Sequence, residues 1–335
     1  MSSVPAIEPT GTPVATQSLL SRAFAITALG PFIALLAACA FFALKTDQFF
    51  SGGNLSLIVQ QSIVVGVIAI GQTLIILTAG IDLSCGAAMA LGSVLMARLA
   101  VDDGVPPLLA IAIGVGASTA IGFINGALVT TIRLPAFIVT LGTLNIAFAL
   151  THIYSEDATI TGLPREQTFF GDTFKIGSTS ITYGSVAMVA LFVIVWFMLG
   201  QTATGRRIFA LGNNPEAVRL SGIKVRRLLL GVYTGAGLLY GLAAVLLIAR
   251  TQVGDPAAGQ TENLESITAV VLGGTSLFGG RGSIIGTLIG ALIVSVIRNG
   301  LTLLGVDSIY QVLITGVLVI VAVAVDQLAR GRRRA

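Results

Sequence analysis

The sequence predicts an all-α integral membrane protein with about ten transmembrane helices, and three observations support this. Hydrophobic residues make up 55% of the 335 residues and charged residues only 10%, whereas a soluble domain carries about 25% charged residues. Apolar runs of about 20 residues, the length that crosses a bilayer, follow one another with little sequence between them. The 40 glycines suit close packing between membrane helices. No room is left for a soluble catalytic domain.

The apolar runs are assigned in order along the chain. The predicted spans are 24–44, 56–79, 84–100, 108–131, 135–154, 181–200, 228–249, 263–280, 283–304 and 309–327. Only Gly80–Leu83 separates the second span from the third, and glycine pairs at 273–274 and 279–280 interrupt the eighth. With a broken or re-entrant element at either place, nine or eleven crossings are alternatives to ten.

Polar segments divide the chain around this membrane domain. Residues 1–21 contain no Lys or Arg, so a disordered cytoplasmic tail at 1–22 is predicted rather than a signal peptide, which needs a positive start. The transmembrane domain is predicted at 23–328 and a basic cytoplasmic tail at 329–335. Two segments outside the membrane are predicted, at 155–180 and 201–227.

The distribution of basic residues predicts that both termini are cytoplasmic. With the N-terminus inside and ten spans, 13 of the 19 Lys and Arg residues lie on the cytoplasmic side, as the positive-inside rule expects. Nine of the acidic residues, including Asp102, Asp103 and Glu156, fall on the opposite side. Segment 201–227 is therefore predicted in the cytoplasm and segment 155–180 outside.

A weak internal repeat underlies the spans. A shift of 174 positions aligns Asn125-Gly126 with Asn299-Gly300, and it also aligns Gly116 with Gly290 and Gly142 with Gly316. An odd number of spans, five, separates the paired elements, so spans 2–5 and 7–10 are predicted to be inverted-topology repeats. Such repeats build a substrate pathway where they meet.

The cytoplasmic segment contains a short capped helix between basic flanks. Asn214 is predicted as its N-cap and Pro215 as its first residue, Glu216 lies in the first turn, and Ser221-Gly222 ends it. A helix this short and polar cannot cross a bilayer. It either contacts a cytoplasmic partner or is a solvated loop that anchors the topology.

Asp82, in the run LTAGIDLSCG, is the most costly residue to place near hydrocarbon. One interpretation makes Asp82 a structural N-cap of the third span, and Ser84 can also cap that helix. The other gives Asp82 a role in a gate or in contact with a partner. The two interpretations are compatible.

Uncharged polar side chains within the spans suit a pathway for a polar, uncharged solute. Gln72, Asn125, Asn145 and Asn299 are the candidates that join Asp82 as pathway or gate residues. Interhelical hydrogen bonding is the alternative for each residue taken singly. Proton relays need chains of acidic or His residues, so an ion or proton pathway is disfavoured.

Several functions are excluded or left open by the remaining residues. The run Gly274–Arg281 lacks the Lys-Ser/Thr pair of a phosphate loop, so no nucleotide site is expected, nor any catalytic residue or cofactor. Two cysteines and one histidine do not indicate a metal site, and no basic face for nucleic acid is present. The external cations Arg165, Lys175 and Arg250 are candidates for docking a partner, although segment 156–175 could also be a lid or a plain loop.

Three motifs, LTAGIDLSCGAAMALGS, GNNPEAVRLSGI and AVVLGGTSLFGGRGSIIGTLIGALI, occur in this order. Together they resemble the permease subunits of bacterial ATP-binding cassette sugar importers, in the ribose/xylose/arabinose/galactoside branch, and the resemblance runs from about residue 28 to residue 327. It implies a permease in the inner membrane for a pentose such as ribose or a related hexose. It also implies a second permease subunit, identical or different, two cytoplasmic ATPase subunits and a periplasmic sugar-binding protein.

The resemblance further implies that segment 214–222 is the coupling helix that docks on the ATPase. The positions that carry this role are Asn214, Pro215, Glu216, Ala217, Arg219 and Gly222. Ala217-Val218 replaces two alanines that are common in relatives, and Cys85 replaces an aliphatic residue. A self-sufficient secondary transporter with inverted repeats is the alternative function; a membrane-embedded enzyme is disfavoured because no acid-base or metal set converges.

Overall fold

A computed structural model describes residues 29–177 and 179–334, and it is mostly helical. The first half contains helices α1 (Leu29–Lys45), α2 (Gly52–Leu77), α3 (Cys85–Val101), α4 (Pro107–Ala127), α5 (Ala136–Ser155) and α6 (Arg165–Thr168). The second half contains α7 (Tyr183–Gln201), α8 (Ala203–Asn213), α9 (Pro215–Leu220), α10 (Val225–Thr251), α11 (Glu262–Leu272), α12 (Ile284–Leu303) and α13 (Ser308–Arg334). A π-helical turn, Leu128–Ile132, continues α4.

A helix occupies each predicted span, but six of the described helices are both long and apolar enough to cross a membrane: α2, α4 with its π-helical turn, α5, α7, α10 and α12. Three more apolar helices, α1, α3 and the first part of α13, are shorter. An α-helical multi-pass protein is confirmed and the number of ten crossings is not. The tail predicted at 1–22 lies outside the described residues, and α13 continues to Arg334 through the basic tail predicted at 329–335.

The eighth predicted span is a broken element, which was one of the two alternatives for it, and not a continuous helix. Helix α11 has only 11 residues and ends at Leu272, and a non-helical loop then runs to α12. Gly274, Gly279 and Gly280 have positive φ angles in this loop, a conformation that glycine adopts at little cost and that ends a helix. The glycine pairs therefore break the span.

A second break joins α2 to α3. Residues 78–84 are not helical, and the Gly80 backbone N–H donates to the Ile75 carbonyl oxygen at 3.1 Å. The carbonyl oxygen of Leu77 accepts from the backbone N–H of Gly280 at 2.9 Å. The end of α2 is thus tied to the loop that follows α11.

The segment predicted outside the membrane departs from all-α structure. After α6 and a 3-10 turn, Phe169–Gly171, strands β1 (Thr173–Ile176) and β2 (Thr179–Thr182) form an antiparallel hairpin. β-branched residues favour strands, and Gly177 supplies a positive φ at the turn. The Ser56 hydroxyl donates to the Ser180 carbonyl oxygen, which ties the hairpin to α2.

The helices of the predicted repeats pair as a two-fold relation requires. Shifted by 174 positions, α2 becomes 226–251, beside the observed 225–251 of α10, and α3, α4 and α5 overlap α11, α12 and α13. The packing is reciprocal, because α10 packs on α3 and α4 while α2 packs on α11 and α12. This correspondence supports the repeat.

Helices α2 and α10 form the centre of the molecule. In the most apolar 18-residue stretch of each helix, 83% of the residues of α2 and 78% of those of α10 are buried, whereas only 22% are buried in α4 and in α5. Glycine allows close backbone contacts in the fold. A Cβ on Gly122 of α4 would lie 2.8 Å from the Gly237 Cα of α10, and one on Gly86 of α3 would lie 2.1 Å from the Gly259 carbonyl oxygen in the loop before α11.

Candidate functional site

The break between α2 and α3 holds a fully buried carboxylate, that of Asp82. Its Oδ1 atom accepts from the Ser84 backbone N–H at 2.8 Å and from the Ser84 hydroxyl at 2.6 Å. Its Oδ2 atom lies 3.3 Å from the hydroxyl of Tyr240, which donates to it. A buried carboxylate is tolerated when such donors replace water.

Two neighbouring amides extend this network. Gln72 donates to the backbone carbonyl oxygen of Asp82 at 3.0 Å, and its own oxygen lies 3.3 Å from the Tyr240 hydroxyl. The Asn125 amide donates to the Ser84 hydroxyl at 2.9 Å. Side chains from α2, α4 and α10 therefore meet at the break, in what we name the Asp82 network: Gln72, Asp82, Ser84, Asn125 and Tyr240.

The geometry corrects the predicted cap of the third span. Helix α3 begins at Cys85, so Ser84 rather than Asp82 occupies the N-cap position, and its side chain makes no capping hydrogen bond. The Ser84 hydroxyl instead donates to Asp82 and accepts from the Asn125 amide, so its oxygen accepts from another helix rather than from the start of α3. Asp82 satisfies only the N–H of Ser84, two residues ahead.

The structure brings three of the five predicted pathway residues together and leaves two apart. Asn145 is exposed on α5 and donates to the Leu141 carbonyl oxygen of its own helix. Asn299 is buried in α12, beside Gly300, which packs against Phe42 of α1. The side-chain oxygens of Asn125 and Asn299, which the repeat aligns, are both buried without a hydrogen-bond partner.

Sequence reasoning missed Tyr240 and its neighbour Tyr233. Tyr240 is 158 positions from Asp82, and no spacing rule links such distant residues. The usable signal was chemical: a tyrosine within an apolar span needs a partner for its hydroxyl. Tyr233 is buried as well, and its hydroxyl lies 2.7 Å from where a Cβ on Gly80 would be.

The predicted capped helix is present as α9, with the boundaries expected. The Asn214 side chain accepts from the Ala217 backbone N–H at 3.0 Å, Pro215 is the first residue, and Gly222 follows with a positive φ. Glu216 and Arg219 are exposed and form a bidentate ion pair at 3.1 and 2.5 Å. The hydrogen bonds and the charge of Arg219 lower the pKa of Glu216, so this carboxylate is ionised at neutral pH.

An amphipathic helix that was not predicted, α8, connects α9 to the membrane helices. Val218 of α9 and Ile208 and Leu211 of α8 are buried. At the end of α8, a Cβ on Gly212 would lie 1.8 Å from the Leu77 carbonyl oxygen and 2.4 Å from the Gly280 nitrogen. The segment therefore contacts the loops that follow α2 and α11, the two places where the membrane helices are broken.

The three predicted docking cations lie on two parts of the chain that pack together. Arg165 and Lys175 are exposed on the segment that holds the hairpin, and Arg165 lies 3.9 Å from Asp172. The 3-10 turn of this segment packs on the end of α10, where Arg250 is exposed. A Cβ on Gly171 would lie 2.0 Å from the Ala249 carbonyl oxygen.

A cavity of about 100 Å³ lies between α11, α12 and α13 and was not predicted; its wall is largely apolar and includes a few polar side chains. Glu265 is buried in its wall and accepts from Arg298 at 3.1 and 3.3 Å. Thr268, Gln311 and Thr315 also line the cavity. The Thr268 and Thr315 hydroxyls donate to carbonyl oxygens of their own helices, so the groups that suit a polyhydroxylated solute are the Glu265–Arg298 pair and the Gln311 amide.

Known proteins resemble this chain over most of its length. The family model for "branched-chain amino acid transport system / permease component" matches residues 54–323. The fructose import permease of Rhizobium meliloti is 47% identical over 89% of this chain and 84% of its own. The ribose import permeases of Bacillus subtilis and Escherichia coli K12 are 43% and 42% identical, over 89% and 88% of this chain and 92% of theirs. No solved structure matches the chain significantly.

Proposed function

This chain belongs to the family of branched-chain amino acid transport system permease components, and we propose that it is the membrane-spanning subunit of an ATP-driven sugar importer. Similar proteins are named as importers of fructose and ribose, which favours a pentose such as ribose or a related hexose as the solute. ATP hydrolysis belongs to separate subunits. The complete transporter contains two permease subunits, two cytoplasmic ATPase subunits and a periplasmic sugar-binding protein, in the bacterial inner membrane.

The observation that carries this proposal is the anchored, exposed helix α9. Glu216, Ala217 and Arg219 face solvent while Val218 is buried, so α9 can contact an ATPase and remain fixed to α8. Movement of α9 reaches Leu77 and Gly280 through Gly212 without an intervening side chain. The two breaks would then shift together and open the pathway on the other side.

The Asp82 network is the proposed gate in this mechanism. It connects the broken segment to α4 and α10, so a displacement of residues 78–84 has to rearrange these hydrogen bonds. On the opposite face, Arg165, Lys175 and Arg250 are the proposed contacts for acidic residues of the sugar-binding protein.

A charge exchange in α9 tests the coupling role. In vesicles with ATPase and loaded binding protein, Glu216→Arg and Arg219→Glu should each abolish uptake while membrane insertion is retained. The double exchange restores the ion pair within the helix, and it should still fail if the side chains contact the ATPase. Normal uptake by the single variants would remove the coupling role.

Reconstitution without an ATPase separates the importer from a secondary transporter. Liposomes that contain only this chain should take up no sugar under a proton or sodium gradient. Gradient-driven uptake by the chain alone would establish the secondary transporter and overturn the proposal.

The cavity between α11, α12 and α13 is the proposed site of contact with sugar hydroxyls. Gln311→Leu keeps roughly the size of the side chain and removes its amide, and it should raise the KM for uptake with little change in the maximal rate. Gln60→Leu, on α2 and outside this cavity, is the matched control, because its amide is also half-buried and bonded within its own helix. Equal KM values for both variants would place the solute elsewhere.

A further inference from the structure

A basic cavity of about 500 Å³ lies where α8, α9 and α10 meet. Arg207, Lys224 and Arg227 line it with Ser221 and Gly222, and its lining includes no acidic residue. Glu216 is the only carboxylate between positions 203 and 231, and it is paired with Arg219. Within the described chain, neither Arg207 nor Arg227 forms an ion pair. The cavity is therefore a site of uncompensated positive charge.

An apolar groove begins at this cavity and continues along the exposed surface between α4 and α10. Arg227 lines both the cavity and the first part of the groove, together with Phe123 and Leu230. The second part continues to Val115 and Leu238. From Arg227 to Leu238, α10 rises about 16 Å, which is the scale of a fatty acyl chain.

The polar atoms in the groove walls are already satisfied, so the groove offers an apolar surface. The Thr119 hydroxyl donates to the Val115 carbonyl oxygen at 2.7 Å, and the Thr234 hydroxyl donates to that of Leu230 at 2.8 Å. Phe123 and Leu238 remain 50% and 45% exposed. A hydrocarbon chain fits such a surface and water does not.

We propose that the cavity and groove form one binding site for an anionic phospholipid, with the phosphate among Arg207, Lys224 and Arg227 and an acyl chain between α4 and α10. Charge selects the headgroup, and the continuous groove selects a lipid over a soluble phosphate. Basic side chains at a membrane surface attract anionic lipids. Because the cavity adjoins α9, bound lipid would support the segment proposed to receive the ATPase. The site does not depend on which solute is transported.

Native mass spectrometry of the delipidated full-length chain tests the site with three probes: dioleoylphosphatidylglycerol, dioleoylphosphatidylcholine and glycerol 3-phosphate. Phosphatidylglycerol should bind at least tenfold more tightly than the other two. The double variant Arg207→Gln with Arg227→Gln removes two charges from the cavity and should weaken phosphatidylglycerol binding on the order of tenfold. The matched control, Arg133→Gln with Arg206→Gln, removes equal charge from positions outside the cavity and should change binding less than twofold.

Filling the groove provides a second, independent readout. A Cβ on Gly231 or Gly235 meets no atom within 4 Å, so Gly231→Leu with Gly235→Leu places bulk in the groove without disturbing the fold. This variant should weaken the binding of phosphatidylglycerol and leave the binding of glycerol 3-phosphate unchanged. The proposal would be overturned if the two arginine pairs lost the same amount of phosphatidylglycerol binding, or if phosphatidylcholine or glycerol 3-phosphate bound as tightly as phosphatidylglycerol. A second copy of the chain bound in place of lipid would also overturn it. If the cavity pair fails to fold, Lys224→Gln takes its place with the same expected direction.

Discussion

At the scale of single residues, the Asp82 carboxylate is fully buried and accepts three hydrogen bonds. Burial removes water from a group that ordinarily needs it, and Ser84 and Tyr240 supply the replacement donors. Because the donors come from two distant parts of the chain, the carboxylate links α10 to the break after α2. Removing the carboxylate should destabilise the protein, because the N–H and hydroxyl groups that donate to it would lose their acceptor.

Asp82→Ala should lower the free energy of unfolding by about 3 kcal/mol, since it leaves buried donors without an acceptor. Tyr240→Phe removes one hydrogen bond and should cost about 1 kcal/mol. Tyr233→Phe, at a buried tyrosine of the same helix, is the control. Denaturation in detergent micelles measures all three, and equal losses for Tyr240 and Tyr233 would contradict a specific role for the network.

The residue types of this site could be predicted from the sequence, and their arrangement could not. Asp82 stands out because a carboxylate in an apolar context is expensive. Its partner Tyr240 is found only by folding the chain, since hydrogen bonds between α2, α4 and α10 follow from tertiary packing. Tertiary packing also explains why Asn145 and Asn299, which have the expected amide side chains, lie on α5 and α12 outside the Asp82 network.

At the scale of elements, α9 was predicted well because helix caps are local. Asn214, Pro215 and Gly222 act within a few positions of one another, so sequence spacing specifies them. Helix α8 was missed because its burial depends on α2 and on the loop after α11. The sequence indicated breaks at Gly80 and Gly273-Gly274. Only the tertiary structure shows that these glycines end a helix rather than bend it.

Removing the cap of α9 should weaken coupling in a graded way. Asn214→Ala loses the acceptor for the Ala217 N–H and should destabilise α9 by about 1 kcal/mol. Asn214→Asp keeps an acceptor and should retain sugar-dependent ATP hydrolysis in the assembled transporter. Identical hydrolysis by both variants would show that the fold of α9 does not limit coupling.

The contact of α8 with the breaks predicts an intolerant glycine. Gly212→Ala forces a Cβ against the Leu77 carbonyl oxygen and should cost about 1–3 kcal/mol. Gly200→Ala, at the end of α7 where a Cβ meets nothing within 4 Å, should be neutral or slightly stabilising. Thermal unfolding of the purified chain compares them, and equal melting temperatures would exclude the close contact.

At the scale of the whole molecule, reciprocal packing of two four-helix units supports the inverted repeat that a few glycines and asparagines indicated. Helix type and order could be predicted because apolar length is a strong signal. The number of full crossings could not, because α3 and α11 gain burial from protein neighbours and need not match the bilayer in length. The hairpin β1–β2 lay in a segment without any periodic signal.

The predicted orientation can be tested by labelling from one side. In a chain with Cys39→Ala and Cys85→Ala, Lys175→Cys should react with an impermeant maleimide in spheroplasts. Ser221→Cys should react only after the membrane is disrupted. Both positions are exposed, so reaction of both in intact spheroplasts would place segments 155–180 and 201–227 on one side and overturn the topology.

The direct backbone contacts between glycines also bear on how this sequence can evolve. Where Gly86 meets Gly259 and Gly122 meets Gly237, every other amino acid brings a Cβ into occupied space. Neither partner can be exchanged first and compensated later, because both positions already have the smallest side chain. Drift should therefore be blocked at these glycines more completely than at the polar residues, whose hydrogen bonds other side chains can replace.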